Sequence, residues 1–353
     1  MISVIGGGPV GSYASYLLAE KGFDVNLYEE HKEIGKPIQC TGLITSSLSK
    51  LVKIKNDLIL NKIKKSRVIA PDGNFIEFNL DKPDLLVDRS EFDRFLFDKA
   101  KETGVKTFLQ HKFISNEGNK IKFKNKIVKS DILVGADGPL SQVAKSNDMF
   151  GGRKFLLGLQ ARVKGKFEKD TFVSSFGDIA PGFFTWIVPE NEETARVGVA
   201  STENVAQYFD KFVKWKIIDK QAGLLPIYNP NINTHKNNVY LVGDAATQVK
   251  PTTGGGIIPG MFSAKELVKA IKYNKNYDEL WKSTIGKELS AGLKVRKILN
   301  KFNNNDYNYL VKLTSQDKVR SIVENGNRDF PFAMLLKLAI TEPRFIRFGS
   351  KVF

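Results

Sequence analysis

The chain has one cysteine, Cys40, so no internal disulfide can form. Its three histidines, His31, His111 and His235, are scattered and offer no metal-ligand spacing, so no metal site is expected. No apolar run approaches the roughly 20 residues needed to cross a bilayer. An apolar strand followed by glycines occupies the first residues, so no leader peptide is expected. These absences together predict a cytoplasmic protein. No nucleic-acid motif occurs, nor any stripe of aromatics between basic clusters, which sets nucleic acid aside as a partner. No internal repeat and no long linker is visible.

What is present is ordinary globular composition, 42% hydrophobic and 26% charged, over 353 residues, a length that suggests about two domains. The balance is basic, +16 from 54 Lys and Arg against 38 Asp and Glu. A solvated lysine-rich surface explains this, and so does attraction to an anionic membrane or a phosphorylated substrate.

The most informative stretch opens the chain. Ile2, Ser3, Val4 and Ile5 run into Gly6, Gly8 and Gly11 at G-x-G-x-x-G spacing, with Pro9 between them. Residues 12–21 read as a helix stopped by Gly22, and the apolar run 25–28 ends on Glu29. Strand, tight turn, helix, strand and acid in this order form a dinucleotide fingerprint. Gly6 permits the turn, Gly8 lets a pyrophosphate approach the backbone, and Gly11 lets helix and strand pack closely. The helix N-terminus attracts phosphate. Glu29, about twenty residues on, is placed to accept from ribose hydroxyls.

Two later segments share this grammar. The apolar runs 132–135 and 239–243 end on Asp137-Gly138 and on Asp244, and the second leads through Gly254, Gly255 and Gly256 into a helix from Ile257 to about 273. Before the first of them lie a hairpin over 67–80 around Pro71-Asp72-Gly73-Asn74 and a helix capped by Ser90, and between the two lie a strand-rich region over 155–204 and a helix over 207–218. The remainder beyond 273 reads as helical.

This set of segments, spanning nearly the whole chain, resembles the FAD-binding proteins of the glutathione-reductase-like superfamily, in the para-hydroxybenzoate hydroxylase branch. Within it the geranylgeranyl reductase family is most similar. Pro37-Ile38-Gln39-Cys40-Thr41-Gly42 looks like that family's cysteine loop. Phe184-Thr185-Trp186-Ile187-Val188-Pro189 and the later Gly198-Val199-Ala200 look like its Tyr-x-Trp-x-Phe-Pro and Gly-x-Gly signature, with Phe184, Val188 and Ala200 departing from it.

The resemblance implies an α/β fold: a Rossmann-like FAD-binding domain (1–65, 84–150 and 236–285), an inserted antiparallel-sheet substrate domain (66–83 and 151–235), and a helical C-terminal region (286–353). It implies that Gly6, Gly8, Pro9 and Gly11 hold the pyrophosphate and Glu29 the adenosine ribose. Cys40, Thr41 and Gly42 would lie near the flavin, Arg89 at the phosphate or ribityl part, and the Phe113 backbone at adenine. Asp137 and Gly138 would lie near the pyrophosphate or a pyridine nucleotide, Asp244 at the ribityl or phosphate part, and Gly255, Gly256 and Ile257 at the ring.

Phe184, Trp186 and Pro189 would bind substrate, and Cys40 is the candidate catalytic residue. The competing roles are a surface ion pair for Arg89, a small buried hydrophobe for Cys40 and plain core for Trp186. No second complete dinucleotide fingerprint occurs, so NAD(P)H or ferredoxin is expected to deliver electrons transiently. The implied activity is FAD-dependent reduction of C=C bonds in a polyprenyl lipid. The alternative is a flavin monooxygenase acting on an aromatic or isoprenoid compound. The apolar 330–336 segment with Lys337, Arg344, Arg347 and Lys351 suggests peripheral contact with the inner face of the cell membrane and equally fits packing on the core. Oligomeric state is not readable.

Overall fold

A computed structural model describes residues 1–124 and 126–349, and Lys351 lies outside the described residues. The chain divides into two compact units: Met1–Ile38, Arg89–Lys154 and Leu225–Ser290; and Gln39–Asp88, Phe155–Leu224 and Ala291–Phe353.

In the first unit a six-stranded sheet runs in the order His235–Lys236, Val239–Leu241, Ile132–Gly135, Ile2–Ile5, Val25–Tyr28, Lys106–Phe108. Every pairing is parallel except that of the short His235–Lys236 edge. Ile2–Ile5 and Val25–Tyr28 are buried along their whole length, because parallel strands are covered on both faces. Helix Pro9–Glu20 packs against Arg89–Glu102 and Ile257–Tyr273. A small antiparallel sheet of Phe113–Glu117, Lys120–Phe123 and Ile127–Lys129 contributes Phe113, Ile121 and Phe123 to the core around Tyr28 and Leu133.

The second unit is built on an eight-stranded sheet: Lys216–Pro226, Phe155–Lys164, Thr194–Ser201, Thr185–Pro189, Thr171–Ser175, Ile59–Ile69, Phe75–Val87, Leu43–Ile44. Its pairing is mainly antiparallel, with one parallel pair between Thr171–Ser175 and Ile59–Ile69. One face carries Ala161, Val163, Val197 and Val199 under Val205 and Phe209 of helix Val205–Phe212. Elsewhere Val311 and Val323 of the C-terminal helices cover Ala70, Ile76 and Phe78.

Several expectations are corrected here. The hairpin strands are longer than 67–80, running Ile59–Ile69 and Phe75–Val87, and they carry residues 39–65 into the sheet unit. Residues 291–349 group with that sheet, and Val311 and Val323 of their helices pack on it. Helix 207–218 stops at Phe212, and Lys216–Pro226 is an edge strand. The β-branched Ile217 and Ile218 suit a sheet edge better than a fourth helical turn. Ser90 is the second residue of helix Arg89–Glu102 and not its cap; its hydroxyl is buried without a hydrogen-bond partner. Among the described residues, no helix is long and apolar enough to cross a membrane.

Candidate functional site

The first unit presents a cradle made mainly of backbone. Gly6 adopts φ +106°, and a Cβ there would collide with the Ala136 carbonyl. Gly11 faces the Gly6 carbonyl so closely that a side chain would strike it. The turn after Ile5 is thereby pressed onto the segment that leads to Asp137. Val10 in turn packs against Gly243, 3.2 Å from where a Cβ would stand. The three glycine-and-acid segments thus adjoin at the C-terminal ends of neighbouring parallel strands, the usual ligand crevice of such sheets.

Gly8 differs from its neighbours: nothing lies within 4 Å of a Cβ added there. It is the N-cap of helix Pro9–Glu20, with Pro9 at the first turn and no side-chain cap. Free N–H groups and the helix dipole therefore face open space, a fit for an anionic pyrophosphate.

The acids differ in their engagement. Glu29 accepts from the Gly7 N–H (2.7 Å) and from the His31 N–H (2.9 Å), and its carboxylate lies 2.6 Å from His31 Nδ1. It fixes the glycine loop by accepting from it. Asp137 accepts from Ser141 Oγ and from the Val143 N–H (2.9 Å), so its carboxylate caps helix Gln142–Ser146. Burial pushes its pKa up, and these hydrogen bonds oppose the shift. Gly138 accepts from the Ser141 N–H in the same turn.

Asp244 is pushed up to about 6 by burial, with the Arg89 charge acting against the shift. Arg89 donates to both carboxylate oxygens of Asp93, at 3.0 and 2.8 Å, and both side chains are largely buried. A Cβ on Gly256 would collide with Asp244 Oδ1, so these two sit tightly together. Gly255 accepts from the Lys250 N–H, and Ile257 begins a 17-residue helix whose N-cap, Gly256, has no side-chain cap. Phe113 is buried in the core, paired with Phe123.

The second unit holds Cys40, Thr41, Gly42, Phe184, Trp186 and Pro189. One cross-strand row reads Gln160, Gly198, Trp186. A Cβ on Gly198 would strike the indole, so the ring lies across that glycine. It reaches the next strand, where Trp186 Nε1 donates to Gln160 Oε1 at 2.9 Å. Thr41 Oγ1 donates to the same oxygen at 2.6 Å. Arg196 Nη1 donates to the Thr41 carbonyl. Gly42 N–H lies 3.4 Å from Cys40 Sγ. The Pro189 carbonyl accepts from Asn61 at 2.8 Å. Phe184 stacks on Phe183 and lies edge-on to Trp186, and Phe176 joins it to Tyr307.

Sequence reasoning missed Gln160, Arg196 and Arg153. Arg153 donates to the carbonyls of Phe150 and Ala245, both at 2.7 Å, and burial lowers its pKa to about 10. No local pattern marks these residues; only the period-2 register of strand 155–164 would have put Gln160 and Arg162 on one face.

Residues 4–40 match the NAD(P)-binding Rossmann-like domain family. Digeranylgeranylglycerophospholipid reductase 2 of Methanococcoides burtonii is 30% identical over 354 residues, 88% of this chain and 86% of that protein. The digeranylgeranylglycerophospholipid reductase of Methanocaldococcus jannaschii is 28% identical, over 88% of this chain and 89% of its own. A geranylgeranyl bacteriochlorophyll reductase-like protein of Thermoplasma acidophilum shares the fold, with TM-score 0.87 at 23% identity, over 100% of this chain and 98% of that one. At 30% identity over 88% of this chain and 86% of that protein, the chain belongs to the digeranylgeranylglycerophospholipid reductase family.

Proposed function

We propose that this protein is an FAD-dependent reductase of C=C bonds in geranylgeranyl or other polyprenyl groups of archaeal-type membrane lipids. The observation that carries the cofactor reading is the open, uncapped backbone at Gly8, bounded by the collision-tight Gly6 and Gly11. The membership of the chain in a reductase family supports the reaction class.

Bound FAD supplies the hydride. Gly8 and the first turn of helix Pro9–Glu20 bind the pyrophosphate, and Glu29 the adenosine ribose. Arg89, held by Asp93, and Asp244 bind the phosphate or ribityl part. Gly255, Gly256 and Ile257 present helix N–H groups and a positive dipole end, which favours negative charge on a reduced ring. An isolated C=C bond is unpolarised, so a proton must reach the second carbon. We assign its delivery to Cys40, the one thiol of the chain. Phe184 and Trp186 offer aromatic faces to an apolar chain and to positive charge developing on it. Electrons arrive transiently from NAD(P)H or ferredoxin.

Access to a membrane-borne substrate is assigned to helix Phe332–Thr341. Phe332, Leu336 and Ile340 recur every four residues on it and are 54%, 55% and 71% exposed, with the exposed Lys337 beside them. Replacing all three by Ser is expected to abolish sedimentation with anionic liposomes, and unchanged sedimentation removes this assignment.

The reaction is tested by anaerobic turnover of a geranylgeranylated glycerophospholipid with chemically reduced protein, followed by mass spectrometry. The expected product gains one H2 for each bond reduced. Product that appears only with oxygen, carrying an added oxygen atom, would identify a hydroxylase instead.

A further inference from the structure

The residues around Thr41 form a junction that the assigned roles do not use. Gln160 is 6% exposed, and its Oε1 accepts from both Thr41 Oγ1 (2.6 Å) and Trp186 Nε1 (2.9 Å). Two donors occupy both lone pairs of that oxygen. Its amide orientation is set from the other side, since Gln160 Nε2 donates to Gln221 Oε1 at 2.8 Å and Gln221 donates on to Asp219.

A second hold acts on the same residue. Arg196, 7% exposed, donates to the carbonyls of Thr41 and Val87, and its Nε donates to Glu190 at 2.8 Å. Glu190 also accepts from Arg162 at 2.6 Å. Gly223 supports the loop from beneath, since a Cβ there would stand 2.6 Å from the Gln39 carbonyl.

We propose that Gln160 and Arg196 are positioning residues for the reductase: a two-point clamp on Thr41 that sets the position of the adjacent Cys40 thiol. The clamp grips side chain and main chain of one residue, so the loop at Thr41 is held at two points. The neighbouring thiol accepts from the Gly42 N–H at 3.4 Å. The catalytic part of this inference rests on the reading above; the clamp itself does not.

Cys40 is the sole cysteine, so thiol labelling reports on this loop alone. The full-length protein is labelled with a chromogenic disulfide under native conditions, as wild type, Gln160→Leu, Gln160→Glu, Thr41→Val and the Gln160→Leu/Thr41→Val pair. The test uses Gln160 because removing Arg196 would leave Glu190 buried beside a lost partner. Gln160→Leu is expected to accelerate labelling about fivefold, the factor of one net hydrogen bond. Thr41→Val should match it and covers the case in which the leucine variant fails to fold. The double variant should add nothing further to the rate of Gln160→Leu, because the Thr41–Gln160 bond is already lost there. Gln160→Glu keeps an acceptor for Thr41 but loses the donor to Gln221, so its labelling rate should lie between those of wild type and Gln160→Leu.

In turnover of the geranylgeranylated lipid, kcat should fall by a similar factor with KM moving less. Unchanged labelling in Gln160→Leu, or single effects that multiply in the pair, would overturn the clamp. Accelerated labelling with unchanged kcat would overturn its role in the reaction. Absence of turnover in the wild type removes the reductase reading, and labelling then still decides whether the clamp exists.

Discussion

The cradle of the first unit and the polar junction of the second solve one problem by opposite means. In the first, polar contacts come from backbone within a few residues of each other: Gly6, Gly8 and Gly11 shape a turn, and a helix N-terminus supplies the donors. In the second, side chains from four separate segments, at 41, 160, 186 and 196, meet on one face of a sheet. Backbone geometry tolerates almost no added atom where segments touch. A side-chain junction tolerates an exchange that keeps the donor and acceptor count. The first is brittle and local, and the second is graded and distributed.

The largest test of that contrast is Gly11→Val. Its side chain would meet the Gly6 carbonyl, which is backbone and cannot rotate away. Overpacking of this kind is expected to weaken FAD binding about tenfold to hundredfold by equilibrium dialysis. Binding within twofold of wild type would show that the turn is softer than its geometry. Gly198→Ala brings the same collision into the sheet unit, against the Trp186 indole and the Leu159 carbonyl. A loss of about 1–3 kcal/mol in urea unfolding is expected, with altered tryptophan fluorescence. A neutral outcome would mean that the indole has another seat.

Asp244 sharpens the comparison through pH. Its folded-state pKa, about 6, lies above the ordinary carboxylate value. The folded state therefore holds a proton that the unfolded state has released between about pH 4 and 6. The contribution of this group to stability is greatest at the acid end and falls as pH rises through that window. Asp244→Asn should remove this dependence and raise stability at pH 7 by up to about 3 kcal/mol. Parallel pH profiles for variant and wild type would contradict the assignment. The smallest effect is expected for Trp186→Phe, which removes one donor from Gln160 and keeps the aromatic face. About 1 kcal/mol of stability should be lost, read by the same urea unfolding, and a loss above 3 kcal/mol would make the indole a core residue.

Much of the fold was legible because its signals are short-range. The strands 2–5, 25–28 and 132–135 announced themselves as apolar runs ending in glycine or acid, and the helix after Gly256 began where expected. Errors arose where a distant partner outweighed local preference. Residues 216–218 continue a helical pattern but lie beside strand Phe155–Lys164. Asp137 sits in a glycine-acid corner like Glu29, yet its carboxylate caps the next helix. Arg89 faces Asp93 one turn on, a pairing visible in the sequence as an i,i+4 match but secondary to its expected role at the cofactor.

The sequence alone determined the dinucleotide turn, because a φ near +106° and a carbonyl in contact distance leave glycine as the one residue that fits. It also determined the order of strands and helices that follow from it. Only the tertiary structure decided what Cys40 neighbours, since the partners of Thr41 lie 119 and 155 residues away. Strand register brings such residues together, and register is set by burial across the whole sheet, which no single segment encodes.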